Sequence, residues 1–269
     1  MRQTAFSILR CPGSKGWFVP YAERFVRRER PKTIVDSFAG SAVVGLTLLN
    51  RGHGQRLVLA EKDPELRHFF HVALRDAGLA MRVRSWTHKL WAIEPRKQRD
   101  FAFESVEAMA TTDPAFSVLL RTRLQFNGNM KGTISTRTPA RNWWSLNLGT
   151  SLELLYNARH KIQVSADAFE ALHAANRRDS YAFVDPPYTV SRYSAGHKLY
   201  RESEVDHEAL LRSLAAWRGS WQLTSEFCPE ILRMAREIDS ELPIRQYVVP
   251  MRTVMGSAKM ELVLARSAR

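Results

Sequence analysis

Short runs of aliphatic and β-branched residues alternate with helix-periodic stretches toward both ends of the chain. This alternation restricts the fold to α/β units around a mainly parallel sheet. Residues 33–36 (TIVD) predict a first strand and 41–50 the helix behind it. A second strand is predicted over 56–61 (RLVLAE), with a helix from 64 to about 77 after it. Further strands are predicted at 162–165, 181–185 (YAFVD) and 221–225, and two closing strands near 245–249 and 260–265. The expected total is about seven. The last two are joined by roughly ten residues, too few for a parallel crossover, so that pair is expected to be antiparallel. A chain of 269 residues, 45% of them hydrophobic, can bury one core with an insertion or two smaller ones.

The middle of the chain has a different character. No acidic residue lies between Asp113 and Glu153, whereas Arg121, Arg123, Lys131, Arg137 and Arg141 all fall there. Gly128, Gly132 and Gly149 accompany the aromatics Phe126, Trp143 and Trp144, a mixture suited to a glycine-turned hairpin that touches a nucleic acid. The whole chain has 40 Lys and Arg against 27 Asp and Glu, a net charge of +13, which favours a polyanionic partner through counterion release. No element is predicted for the charged, tryptophan-containing stretch 82–100.

Other functional classes find little support. No apolar run is long enough to span a bilayer, no basic amphipathic helix or lipid anchor is visible, and MRQTAFSILRCPGSK lacks the order of a signal peptide. The expected location is cytoplasmic and no membrane partner is expected. Cys11 and Cys228 are too few for a disulfide framework and too distant in sequence for a metal knuckle, so both are expected as thiols. His68 and His71 share a helix face without a suitably spaced third ligand, and no metal is expected.

The sharpest chemical signal is YAFVDPPY, residues 181–188, a strand ending in a carboxylate, two prolines and an aromatic ring. An adenine amino group is a weak nucleophile because its lone pair is delocalised into the ring. Hydrogen bonds from its two N–H groups to the Asp185 carboxylate and the Pro186 carbonyl draw the nitrogen toward tetrahedral geometry and free the lone pair for a methyl donor. Pro186 and Pro187 stiffen the turn. Tyr188 is placed to stack on a base rotated out of a duplex. Parallel α/β sheets bind ligands at such carboxyl ends.

A second signal is the strand-turn-helix VDSFAGSA, residues 35–42, in which small residues let a backbone approach a ligand at a helix N-terminus. It is less glycine-rich than a dinucleotide fingerprint, so a hydride-transfer enzyme fits poorly. Glu61 ends the second predicted strand, where a carboxylate can accept hydrogen bonds from ribose hydroxyls.

Taken in order, these segments resemble the Dam-type adenine-specific DNA methyltransferases, the alpha-ordered amino-methylating class, over nearly the whole chain. The class opens with L-[RK]-[YW]-x-G-G-K, and this chain has Leu9-Arg10-Cys11-Pro12-Gly13-Ser14-Lys15. Its F-x-G-x-G turn is matched by Phe38-Ala39-Gly40-Ser41-Ala42, and its L-A-[DE] strand end by Leu59-Ala60-Glu61. Gln125-Phe126-Asn127-Gly128 partly matches a [RY]-[YF]-N-x-x-G hairpin, Asp167 an acidic strand end, and Asp185 to Tyr188 the DPPY element. A helix-starting Asp-x-x-x-Leu is matched at Asp206 to Leu210.

The resemblance implies a Rossmann-like class I methyltransferase sheet, formed by residues 1–82 and 151–269, with an inserted target-recognition subdomain over 83–150. It implies methyl transfer from S-adenosylmethionine to the N6 amino group of a flipped adenine in double-stranded DNA. Asp185, Pro186, Pro187 and Tyr188 would be catalytic. Cys11, Lys15, Asp36, Phe38, Ala39, Gly40, Ser41, Glu61, Asp167 and Asp185 would surround the cofactor. Within that, Phe38 to Ser41 take the methionine part, Glu61 the ribose hydroxyls and Asp167 the adenine. Arg121, Arg123, Asn127, Lys131, Arg137, Arg141 and Asn142 would face DNA. No obligate protein partner is expected, a cognate restriction endonuclease being the candidate companion.

Two departures touch the cofactor side: Cys11 replaces an aromatic, and Ala42 replaces the second glycine of the turn. They motivate one rival, an inactive DNA-binding module of the same fold. The other rival is an RNA adenine methyltransferase, because charge and DPPY serve either polymer.

Overall fold

The computed structural model describes residues 6–125, 144–188, 202, 204–226, 228–238, 240, 247–252 and 258–268. Among these residues seven strands form one sheet: β1 (Thr33–Asp36), β2 (Arg56–Ala60), β3 (Ile162–Ser165), β4 (Ser180–Val184), β5 (Ser220–Glu226), β6 (Tyr247–Arg252) and β7 (Ala258–Arg266), in the spatial order β3-β2-β1-β4-β5-β7-β6. Strands β1 to β5 pair in parallel, and β7 pairs antiparallel with both β5 and β6. The expected antiparallel closing pair is present, and β7 inserts between β5 and β6. From β1 the chain steps outward to β2 and β3 on one side and to β4 and β5 on the other. The switch point therefore lies between β1 and β4, where open α/β sheets leave a crevice for ligands.

Of the parallel strands, β1, β2, β4 and β5 are mostly buried on both faces, whereas the edge strand β3 is only partly covered. Ile34, Leu57, Leu59, Tyr181 and Phe183 point into one core. Val35, Ala60, Ala182, Val184, Trp221 and Leu223 point into the other. Over the first face lie helices α1 (Val19–Glu29), α2 (Val43–Asn50), α3 (Pro64–Arg75), α4 (Gly78–Ala92), α5 (Gln98–Thr112), α6 (Pro114–Leu124) and α7 (Leu148–Asn157). The second face carries α8 (Ala168–Ala174), α9 (His207–Ala215) and α10 (Pro229–Ile238).

Local chemistry sets the helix ends near the cavity. The Asp63 carboxylate accepts from the Glu65 and Leu66 amides, and Pro64 occupies the first turn, so α3 starts there. Asp206 caps α9 through the Ala209 amide, as the Asp-x-x-x-Leu pattern implied. Helix α2 begins at Val43, two residues later than expected, because Gly40 (φ 49°) and Ala42 (φ 52°) both adopt left-handed backbone. Glycine does so freely; an alanine there is strained by roughly 1 kcal/mol.

The unassigned stretch 82–100 is mostly helical, running through α4 into α5. The 82/83 division falls inside α4 and the 150/151 division inside α7. Val83, Trp86, Leu119 and Leu152 share a core with Ile34, Leu57 and Tyr181. Trp144 is buried, 4.5 Å from the Trp86 ring, with its Nε1 donating to Thr87 Oγ1 at 2.7 Å. That places it in packing. Trp143, Asn127, Lys131, Arg137, Arg141 and Asn142 lie outside the described residues.

Candidate active site

The carboxyl ends of β1, β2 and β4 open onto a cavity of about 250 Å³. Its wall gathers Cys11, Lys15, Asp36, the Phe38 to Ser41 turn, Glu61, Asp167, Asp185 and Pro187 from five separate stretches of sequence. Every residue expected around the cofactor is among them. Pro186 is buried and does not line this wall, and Tyr188 reaches the site through its hydroxyl.

The segment before α1 is held across the sheet's edge. Phe18 stacks on Phe183 of β4 with ring centroids 5.3 Å apart, and Ser14 Oγ meets Ser41 Oγ at 2.9 Å. These contacts deliver Lys15, only 3% exposed, to the end of β4. Its Nζ donates to the Gly13 carbonyl at 2.8 Å, lies 2.9 Å from Asp185 Oδ2, and stands 5.0 Å from the centre of the Tyr188 ring. A fourth contact was not legible in the sequence: Glu261 Oε1 on β7 lies 3.9 Å from the same ammonium.

Asp185 is held on its other side as well. Thr224 Oγ1, from the neighbouring strand β5, donates to Asp185 Oδ1 at 2.6 Å, and the Tyr188 hydroxyl donates to the same oxygen at 3.3 Å. Thr224 and Glu261 carry no motif of their own. Their only signal is sheet order, which places β5 beside β4 and β7 beside β5.

The turn after β1 is tied to β2. The Ala39 amide donates to the Ala60 carbonyl at 2.9 Å, and the Gly40 amide to Glu61 Oε2 at 2.7 Å. The other Glu61 oxygen accepts from the Asp63 amide at 2.8 Å. Burial pushes the Glu61 carboxyl up to about 7, against the pull of these amides. Asp36 is pushed up to about 8, first by burial and then by the charges of Asp185 and Glu61, while the Gly45 amide opposes the rise. Its Oδ1 is buried without a hydrogen-bond partner among the described residues. Such an orphaned oxygen in a carboxylate-lined cavity suits a ligand bearing positive charge and polar hydrogens. The residues present therefore fit S-adenosylmethionine, which has a sulfonium, an ammonium and two ribose hydroxyls. The Cys11 thiol also lines the cavity, and burial and nearby Glu61 and Asp63 raise its pKa. It is a neutral, non-nucleophilic wall element.

Asp167 caps α8 through the Glu170 amide at 2.8 Å and lines the cavity at its far end. The basic residues preceding the undescribed middle segment are engaged internally. Arg121 pairs with Glu65 at 2.9 Å. Arg123 donates to the Ile8 and Ser7 carbonyls, and burial, with Arg10 nearby, lowers its guanidinium to about 10. Among the described residues, no group of three or more side chains is arranged to hold a metal ion, and no helix is long and apolar enough to cross a membrane.

A seven-stranded sheet with an inserted β7, a carboxylate-lined cleft at its switch point and Asp-Pro-Pro-Tyr beside it together define a Rossmann-like methyltransferase acting on an amino group. Residues 12–232 match the family of D12 class N6 adenine-specific DNA methyltransferases. The chain belongs to that family and is an adenine-specific DNA methyltransferase. Comparison with curated proteins returned no match.

Proposed function

We propose that the protein transfers a methyl group from S-adenosylmethionine to the N6 of an adenine turned out of double-stranded DNA, and that the cavity described above holds the cofactor. Glu61 would take the ribose hydroxyls, the Phe38 to Ser41 turn the methionine part, and Asp167 the adenine. Bound there, the cofactor supplies a methyl group on a cationic sulfur. Asp36, Glu61 and Asp185 surround that charge with carboxylates.

The bonding of Asp185 carries this reading. A carboxylate accepts about four hydrogen bonds. Oδ1 takes two, from Thr224 and Tyr188, and Oδ2 takes the Lys15 ammonium. Among the described residues, one acceptor direction on Oδ2 is left for an amino N–H. With its second N–H on the Pro186 carbonyl, the target nitrogen would be held with its lone pair facing the methyl group. Asp185 needs no great basicity, because the departing proton becomes acidic only once nitrogen has gained the methyl. Its contribution is orientation and charge.

Residues 83–150 would supply target recognition, with Lys131, Arg137 and Arg141 contacting phosphates. Arg121 and Arg123 would support that segment from behind, since their guanidinium groups are already bonded within the protein.

The test is methyl transfer from labelled S-adenosylmethionine to matched duplex DNA, single-stranded DNA and structured RNA, with the modified nucleoside identified after digestion. N6-methyldeoxyadenosine from the duplex is expected. Labelling of RNA in preference would move the substrate to that polymer. Absence of cofactor binding by calorimetry would leave an inert module.

A further inference from the structure

Lys15 lies between two carboxylates, not one, and the second comes from a strand beyond the part of the chain matched to the family. Asp185 Oδ2 is 2.9 Å from the Lys15 ammonium and Glu261 Oε1 is 3.9 Å from it. Lys15 and Glu261 are 3% and 2% exposed. Taking an ammonium and a carboxylate this far from water is unfavourable unless their mutual attraction is strong, so the placement itself is costly. Glu261 also stands directly opposite Glu226 in the β5–β7 register, which adds like-charge repulsion. A glutamate serving only the sheet would be better replaced by an apolar residue.

From these contacts we infer that Glu261 and Thr224 are positioning residues for methyl transfer, acting on Asp185 from opposite sides. The inference rests on the reading of Asp185 given above. Were Asp185 the sole carboxylate beside Lys15, the ammonium would be drawn more strongly onto the oxygen that must receive the target N–H. Glu261 shares the ammonium, weakening that claim on Oδ2. It also leaves Lys15, Asp185 and Glu261 with a net charge of −1, which suits the positive charge that nitrogen gains as the methyl arrives. Thr224 fixes the plane of the carboxylate through Oδ1, so that the remaining Oδ2 direction points one way.

The contact at 3.9 Å is mainly a charge interaction, which falls off slowly with distance. Two substitutions therefore separate charge from shape. Glu261→Gln keeps the shape and removes the charge; Glu261→Asp keeps the charge and leaves a small gap. For the positioning role, kcat of Glu261→Gln falls at least tenfold while that of Glu261→Asp stays within about threefold. KM for duplex DNA and calorimetric affinity for S-adenosylmethionine hold within about twofold in both. A packing role gives the reverse order, with Gln tolerated and Asp impaired, and that order overturns the inference. The second pair is Thr224→Val against Thr224→Ser: kcat should drop about tenfold in Val and recover in Ser. Equal kcat for Val and Ser also overturns it. Circular dichroism checks folding, and if Glu261→Gln does not fold, the threonine pair decides. A wild-type protein that methylates no adenine removes the reading of the site itself. An active wild type with indifferent variants removes only this inference.

Discussion

Lys15 and Asp185 meet at 2.9 Å at the end of β4, although 169 residues separate them along the chain. The Phe18 to Phe183 stack brings them together, so the pair depends on packing as much as on charge. Asp185→Ala is expected to lower kcat by about two to three orders of magnitude or more, as removal of a group aimed at the reacting atoms does. Cofactor affinity should stay within about threefold, because Asp36 and Glu61 remain. Single-turnover methylation and calorimetry measure the two effects. A variant still methylating adenine at wild-type rate would refute the assigned role.

Gly45 is the position at which helix α2 approaches Asp36. A Cβ there would lie 2.9 Å from Asp36 Oδ2 and 2.9 Å from Leu57 Cδ1. Helix propensity alone favours alanine by about 1 kcal/mol. Overpacking of a buried site costs about 1–3 kcal/mol, and the Gly45 amide to Asp36 bond at 3.1 Å would be disturbed too. Gly45→Ala should therefore be net destabilising, by about 1–2 kcal/mol, and should weaken S-adenosylmethionine binding. Chemical denaturation and calorimetry test this; a stabilised variant would show that α2 can shift without displacing Asp36.

The buried acids make stability depend on pH in a definite direction. Asp36 and Glu61 have folded-state values near 8 and 7, above their ordinary values of 3.8 and 4.5. An acid raised on folding contributes stability that is full below its unfolded value and is lost as pH rises through the folded one. The cofactor-free protein should therefore melt several degrees lower at pH 9 than at pH 6. Asp36→Asn should remove much of the difference. Because a cationic ligand favours the ionised carboxylates, S-adenosylmethionine binding near pH 7 should release protons. Calorimetry in buffers of differing ionisation enthalpy reads that release directly, and a heat independent of buffer would count against it.

The sheet was legible because mostly buried parallel strands such as TIVD and YAFVD carry their signal locally, and capping residues such as Asp63 and Asp206 mark helix starts. Most of the cavity was legible because Asp36 to Ser41, Glu61, Asp167 and Asp185 lie at or just after strand ends, where α/β geometry places ligands. Three parts were hidden for physical reasons. Thr224 and Glu261 act across the sheet, and no spacing in the chain announces that β7 lies next to β5. Helices α4 to α6 join the main core, so no composition break marks the 82/83 boundary proposed for a recognition subdomain. The positive φ of Ala42 was also invisible, since a residue tolerated under strain looks ordinary in sequence.

The basic residues of the middle segment are expected to fall into two groups with different salt behaviour. Arg121 directs its charge to Glu65 at 2.9 Å, whereas Arg137 and Arg141 belong to the acid-free stretch expected to meet DNA. Removing one phosphate-binding cation lowers the slope of log K against log salt concentration by about 0.9. The Arg137→Ala/Arg141→Ala double variant should thus flatten the slope by about two and weaken duplex binding similarly for all sequences. Arg121→Ala should leave the slope unchanged and instead reduce stability, by about 1 kcal/mol or less for this partly exposed pair. Fluorescence anisotropy with a labelled duplex between 50 and 200 mM salt, a range over which counterion release is large, separates the two outcomes. If Arg121→Ala flattened the slope as much as the double variant, the guanidinium would have to leave Glu65 for a phosphate on binding. Docking would then begin at the end of α6 and not in the segment that follows it.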